Sequence, residues 1–270
     1  MNKLRFLSLS SGSNGNSYYL GTLQRGVLID AGIAARTIKK RLREAGLDIS
    51  CVMAVFVTHD HKDHIKSIAV LGEKYHIPVY ATRLTHEGIN RNWSITEKLD
   101  TSRRFIEKGE TVSVFDFTVT AFPVSHDSTD SVGYSVEYEG KNIVLATDLG
   151  YINEEVAGHL RRAHVLIIEA NYDERMLRQG SYPIDLQRRI RGQRGHLCND
   201  ETAAFLAGNY ALHWRFIFLC HLSRDNNRPD IALQTIAVAF ASKGIEPDCE
   251  LSLRCLPRTS ATELILLEWE

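Results

Sequence analysis

With 270 residues, 44% of them apolar and 24% charged, the chain is long enough for one large α/β domain or two small ones without disulfide staples. Its formal net charge of -1 excludes a global field that recruits nucleic acid, so any polyanion has to be held by a local patch. Five scattered cysteines without a C-x-x-C pair, no apolar run of membrane-spanning length and no signal-peptide core in "MNKLRFLSLSSGSNGN" point to a reducing, cytoplasmic setting with no membrane partner.

Strands are expected at 4–9, 17–22 and 26–30, separated by Gly, Asn and Ser turns. "ARTIKKRLREAG" reads as a helix with Ile38 and Leu42 inward, a basic outer face and Gly46 as its stop. A buried strand at 52–57, a helix at 64–75, a strand at "VYAT" and a short helix from Thr82 follow. Residues 110–148 read as a β-meander with "EYEGKN" as its clearest hairpin turn. Beyond it come a helix near 153–161, a strand at 164–170 and an Arg-rich helical segment from Asp173 to Arg194. A helix over "NDETAAFLAGNY", a strand at 215–220, a helix over "PDIALQTIAVAFASKG" and a closing strand "ELILLEWE" complete the list. With no repeat and no Pro/Gly/Ser-rich linker, residues 1–270 are expected to form a single domain of sheets flanked by helices.

The stretch "THDHKDH" at 58–64 packs three histidines and two aspartates where the apolar run "VMAVFV" ends. His59 and His61, two apart, project to one side of an extended segment. Asp63 and His64 sit where a helix begins and can turn back to the same point. Neutral imidazole and ionised carboxylate are the ligands of divalent zinc or manganese, and iron is also admitted. Three more residues of ligand type follow apolar runs: His126 in "FPVSHDS", Asp148 in "IVLATDLG" and His221 in "FIFLCHLS".

In this order the residues resemble the metallo-β-lactamase superfamily, and the resemblance covers nearly the whole chain. It implies a four-layer αββα sandwich. It also implies that His59, His61 and His126 hold one cation, that Asp63, His64 and His221 hold a second, and that Asp148 bridges them. Two cations about 3.5–4 Å apart lower the pKa of a shared water toward roughly 7, which makes hydroxide available as a nucleophile. A redox di-iron reading is set aside, because that branch is expected to carry glutamate where His61 stands.

The superfamily hydrolyses several ester classes, so the fold alone selects no substrate. "LSLSSGSNGNSYYL", "IIEANYDERML", "RGQRGHLCND" and "CHLSRDNNRP" resemble the YycJ/WalJ-like branch, whose described activity is DNA exonuclease, and the related ribonuclease Z and β-CASP nucleases. The resemblance implies a phosphodiesterase acting on DNA in preference to RNA. His196 would bind phosphate or act as general acid, with Glu169 holding its ring and Asp63 in the catalytic set. Two departures are Arg194 before Gly195 and Cys198 where serine is expected; the β-CASP insert is absent. Arg188, Arg189 and Arg191 lie in the Arg-rich segment, which is either a solvated helix face or a phosphate clamp. Ser11 and Asn14 lie in "SSGSNGN", either a tight turn or a loop against which a ligand rests. The alternatives are a small-molecule hydrolase of the same fold, acting on a thioester, lactone or cyclic phosphodiester, and a metal-binding scaffold without catalysis. The sequence leaves open the metal, the polarity of digestion and the oligomeric state.

Overall fold

The computed structural model describes residues 3–93, 95, 97–246 and 250–268. Two seven-stranded mixed sheets carry the chain. The first contains β1 (Arg5–Ser10), β2 (Ser17–Gly21), β3 (Gly26–Ile29), β4 (Val52–Phe56), β5 (Val79–Ala81), β6 (Arg103–Phe105) and β14 (Ile265–Leu266), in the order β14-β1-β2-β3-β4-β5-β6. Its neighbours from β14 to β3 are antiparallel, and those from β3 to β6 are parallel. The second contains β7 (Thr111–Val114), β8 (Phe117–Pro123), β9 (Val132–Tyr138), β10 (Lys141–Ala146), β11 (Val165–Glu169), β12 (Phe216–Cys220) and β13 (Ser252–Cys255), in the order β13-β12-β11-β10-β9-β8-β7. Strands β10 to β13 run parallel, and the β9–β10 and β7–β8 pairs are antiparallel.

The helices are α1 (Ala35–Glu44), α2 (Lys62–Ile65), α3 (Arg83–Arg91), α4 (Glu154–Arg161), α5 (Glu174–Gln179), α6 (Ile184–Ile190), α7 (Asn199–Gly208) and α8 (Pro229–Ser242). The chain divides into two compact units, one of residues 1–121, 128–132 and 257–270, the other of 122–127 and 133–256. Each has its own apolar core. In the first, Leu7, Leu28, Val55 and Val79 of the sheet pack with Ile38 and Leu42 of α1. In the second, Val144, Leu166, Ile168 and Ile217 pack with Leu160, Leu206, Ile236 and Trp214.

Parallel strands covered on both faces read as continuous apolar runs. Accordingly β11, "VLIIE", is buried along its whole length. Strand β8 instead alternates buried and half-buried residues over its first four positions, as a one-faced strand does.

Most expected elements are present, with four differences. The Arg-rich segment is two helices, because Gly180 and Pro183 interrupt it between α5 and α6. The helix expected at 64–75 begins two residues earlier, at Lys62 inside the histidine motif, and ends as α2 at Ile65, with a π-helical turn at Val70–Lys74. Strands β6 and β13 were not expected; "RRF" and "SLRC" are short, charged end strands of their sheets with no apolar period to betray them. The closing strand shrinks to Ile265–Leu266, and residues 269 and 270 of it lie outside the described residues. Cys51, Cys198, Cys220 and Cys255 form no disulfide among the described residues, and Cys249 lies outside them.

Candidate metal centre

Open α/β sheets present ligand groups beyond the carboxyl ends of parallel strands. Both units do so. In the first, β3 and β4 are parallel with Ile29 beside Phe56, so Asp30 and the segment 58–64 leave the sheet at the same end. In the second, β10, β11 and β12 pair Ala146 with Ile168 and Glu169 with Cys220, so Asp148, Glu169 and His221 share one edge. Asp30, Asp148 and His221 have φ of 60°, 54° and 54°. Left-handed backbone at non-glycine residues costs of order 1–3 kcal/mol each and persists where surrounding structure fixes it.

In the first unit, His59 and His64 are buried and their ring centroids lie 4.0 Å apart, with the His61 ring 4.7 Å from that of His59. Asp30, fully buried, organises them. Its Oδ2 accepts from His64 Nδ1 at 2.8 Å, and its Oδ1 accepts from Thr58 N at 2.8 Å. The Thr58 hydroxyl donates to Asp30 Oδ2 at 2.9 Å, which leaves its oxygen to accept from His59 Nδ1 at 3.0 Å. Both rings therefore carry their proton on Nδ1 and present Nε2 as a lone pair. The Asn16 amide nitrogen, 3.0 Å from His64 Nε2, fits the same tautomer. Burial pushes the Asp30 pKa up, against the pull of His64 and Thr58.

The "SSGSNGN" loop meets this segment through Asn16. Asn16 N donates to Asp63 O at 2.7 Å, and its side-chain amide reaches Asp63 Oδ2 at 3.4 Å. Ser11 is buried with its hydroxyl 2.8 Å from that of Tyr18, and Asn14 faces solvent. Backbone approach is close enough that a Cβ on Gly32 would lie 1.6 Å from Asp63 O, so only glycine fits there.

In the second unit, His126 Nδ1 donates to Gly195 O at 3.1 Å, which again leaves Nε2 as the lone pair. Glu169, fully buried, is the hub of the rest. Its Oε1 accepts from His196 Nδ1 at 2.8 Å and His221 Nδ1 at 2.9 Å, and its Oε2 accepts from Leu149 N at 3.0 Å. Asp148 Oδ1 lies 3.1 Å from His221 Nδ1 and 3.5 Å from His196 Nδ1. One ligand atom from each of Asp148, Glu169, His196 and His221 falls within 4.8 Å of the others. Burial raises the Glu169 pKa, but His196 and His221 outweigh it and the net shift is downward. Burial lowers the His196 pKa, but Glu169 and Asp148 outweigh it and the net shift is upward. His196 is the open member, its side chain 21% exposed against 3% for His221.

Both departures in the loop around His196 have a structural role. Arg194 Nε donates to His126 O at 3.1 Å. Cys198 caps α7: its sulfur accepts from Glu201 N at 3.4 Å while the Glu201 carboxylate accepts from Cys198 N at 3.0 Å. Burial holds its thiol protonated, with the pKa pushed up to about 12. Arg188, Arg189 and Arg191 each hold a carboxylate, respectively Asp185 at 3.4 Å, Asp127, and Glu174 at 2.7 Å.

These donor sets fit divalent cations. A metal-binding imidazole usually donates its other N–H to a carboxylate or carbonyl, which fixes ring and tautomer. His64, His126 and His221 do so, and His59 does through Thr58. Sequence reasoning missed Asp30, Thr58, Asn16 and Asn171, whose amide donates to His221 O at 2.8 Å. For Asp30 the available signal was a carboxylate directly after the apolar run "GVLI", the pattern that revealed Asp148. Replacing Asp30 with asparagine, which tolerates φ of 60°, should weaken metal affinity by about 10–100-fold, read by competition with a chromophoric chelator. Wild-type affinity in that variant would remove Asp30 from the metal-supporting set.

Comparison with known proteins agrees with the geometry. A family model, the β-lactamase superfamily domain, matches residues 25–212. The chain is 35% identical over 242 residues to exodeoxyribonuclease YycJ of Bacillus anthracis, covering 89% of this chain and 90% of that protein. It is 35% identical over 247 residues to exodeoxyribonuclease WalJ of Streptococcus pneumoniae, covering 90% of this chain and 91% of the relative. The metallo-β-lactamase fold protein YhfI of Bacillus subtilis superposes with a TM-score of 0.70 at 15% identity, covering 96% of this chain and 99% of that one, and so shares the fold. Among the described residues no helix is long and apolar enough to cross a membrane. The chain therefore belongs to the metallo-β-lactamase superfamily, as a metal-dependent hydrolase of the YycJ/WalJ branch.

Proposed function

We propose that the protein is a dinuclear phosphodiesterase that removes nucleotides from the ends of DNA. The carrying observation is the set of buried histidines whose Nδ1 atoms are all engaged, so that each Nε2 keeps its lone pair, that of His64 facing the Asn16 amide. The 35% identity to two exodeoxyribonucleases over about nine-tenths of the chain supports DNA as substrate. His59, His61 and His126 would hold one cation, Asp63, His64 and His221 the other, and Asp148 would serve both. Zinc or manganese suits this donor set. When bound, such a pair supplies a water of lowered pKa and neutralises charge on the attacked phosphate.

The chain's own groups supply the rest. His196, held by Glu169 through Nδ1, presents Nε2 for a phosphoryl or leaving oxygen. The Glu169 carboxylate on Nδ1 favours the protonated ring that a general acid needs. Asp63 contributes its carboxylate as a ligand and helps orient the attacking water. Arg188, Arg189 and Arg191 contact the backbone, because exposed ion pairs are worth little and exchange readily for phosphate. Ser11 and Asn14 belong to the loop that borders the substrate.

The test is end-labelled single- and double-stranded DNA and RNA, with zinc, manganese or iron, beside thioester and lactone panels. Stepwise shortening of DNA from its ends is expected; turnover confined to thioesters or lactones would replace this reading with the small-molecule one. Reversing the charge of Arg188, Arg189 and Arg191 together should weaken DNA binding and flatten its salt dependence. An unchanged slope would return α6 to a merely solvated face.

A further inference from the structure

The outer face of α1 presents charge that nothing described so far uses. Arg36, Lys39, Lys40 and Arg43 recur at helical spacing, and with Lys74 and Tyr75 they line a concave surface of about 640 Å³. Glu44 is its one acidic residue, so this surface carries five cations against one anion in a chain of net charge -1. Lys39 sits 4.9 Å above the Tyr75 ring and donates to its hydroxyl at 3.1 Å. The only ion pair within the group is Lys40–Glu44, at 3.6 Å and well exposed. Arg36, Lys39, Arg43 and Lys74 make no close ion pair among the described residues, and Arg43 acts on Asp48 only through its field. Arg41, on the other side of the same helix, is spent on the carbonyls of Leu9 and Thr259.

Such crowding is unfavourable to the helix itself. Pairs 36–39, 36–40, 39–43 and 40–43 set like charges three or four residues apart, each of which weakens an isolated helix. A multivalent anion relieves all four. The second wall, Val70–Lys74, is a π-helical turn, a rare form that is frequent at functional sites.

We infer that this α1 surface is a docking site for the phosphate backbone of the nucleic-acid strand, outside the metal centre. The inference rests on the nuclease reading and deepens it. Successive cations along α1 lie about 5–6 Å apart and span about 10 Å, which matches roughly three nucleotides at about 3.4 Å each. Both walls leave from the metal-binding segment. Asp30, just before α1, holds His64, and the helical path from Lys62 runs on to Tyr75. Lys74 lies ten residues beyond His64, about 15 Å along a helix, or about four nucleotides from the reacting end. The site therefore grips a long strand and is out of reach of a dinucleotide. Tyr75 adds an aromatic face beside the cations, the combination that single-strand grooves use.

The test is the full-length, manganese-loaded protein with Arg36, Lys39, Arg43 and Lys74 all replaced by glutamine, which keeps helix propensity. Binding and cleavage of a long labelled strand are measured against salt, together with turnover of a dinucleotide and the melting curve. The slope of log K against log salt should fall by about 3, as expected for four lost contacts to a single strand. KM on the long strand should rise on the order of tenfold or more, with dinucleotide turnover unchanged and melting no lower than wild type, since the like-charge pairs along α1 are gone. An unchanged salt slope overturns the inference, and so does equal loss on long strand and dinucleotide. Retained DNA binding with lost binding to phosphatidylserine vesicles would assign the surface to a membrane and likewise overturn it. Should the wild type cleave no nucleic acid with any metal, the nuclease reading itself fails first, a result separable from these.

Discussion

Asp148→Asn should slow hydrolysis by about a hundredfold to a thousandfold and lower the metal content of the purified protein. Asparagine is the informative replacement, because Asp148 sits at φ of 54°, where asparagine is tolerated and alanine adds strain of about 1–2 kcal/mol. The variant keeps the shape and loses only the negative charge. In the proposed centre that charge serves both cations, so metal stoichiometry should fall from two equivalents on elemental analysis. Losing about 3–4 kcal/mol of charge stabilisation corresponds to a rate lower by about a hundredfold to a thousandfold. Asp148→Ala should lose at least as much, with a lower melting temperature. Wild-type protein that takes up no zinc or manganese, or an Asp148→Asn variant that retains both equivalents and full turnover, would refute the bridging role.

His196→Ala should separate catalysis from metal retention. The ring is tethered through Nδ1 to Glu169, and it is the most exposed of the four residues clustered there. After its removal Glu169 still accepts from His221 Nδ1 and Leu149 N, so the buried carboxylate stays satisfied and the fold should hold. Removing one positioned general acid costs about a hundredfold to ten-thousandfold in rate. That loss is expected on DNA, with a smaller one on a p-nitrophenyl phosphodiester whose leaving group needs no proton. Two metal equivalents should remain. His196 shares a 4.8 Å cluster with Asp148, Glu169 and His221, so the contrary result is well defined. Loss of one equivalent would make His196 a ligand and move the proton donor elsewhere.

Local pattern alone revealed much of this molecule. An apolar run followed by a histidine or carboxylate marked β4 with His59, β10 with Asp148 and β12 with His221, because a parallel strand buried on both faces must be apolar and its carboxyl end need not be. The same logic separated helices from strands wherever a period lasted more than one turn, as in α1 with Ile38 and Leu42. Short, charged β6 and β13 carry no such period; the neighbouring strands, through hydrogen bonds from β5 and β12, make them strands. The tertiary structure alone selected the residues that hold the ligands. Asp30 is 34 positions from His64, Glu169 is 27 from His196 and 52 from His221, and no local pattern links them. Nor does sequence tell an arginine that grips a carboxylate from one that faces solvent. Charge density drew attention to Arg188, Arg189 and Arg191, each of which already has an acidic partner. Among the described residues Arg36, Lys39 and Arg43 of α1 make no ion pair; helix spacing supplied that wall, and only folding brought Lys74 from another element to meet it.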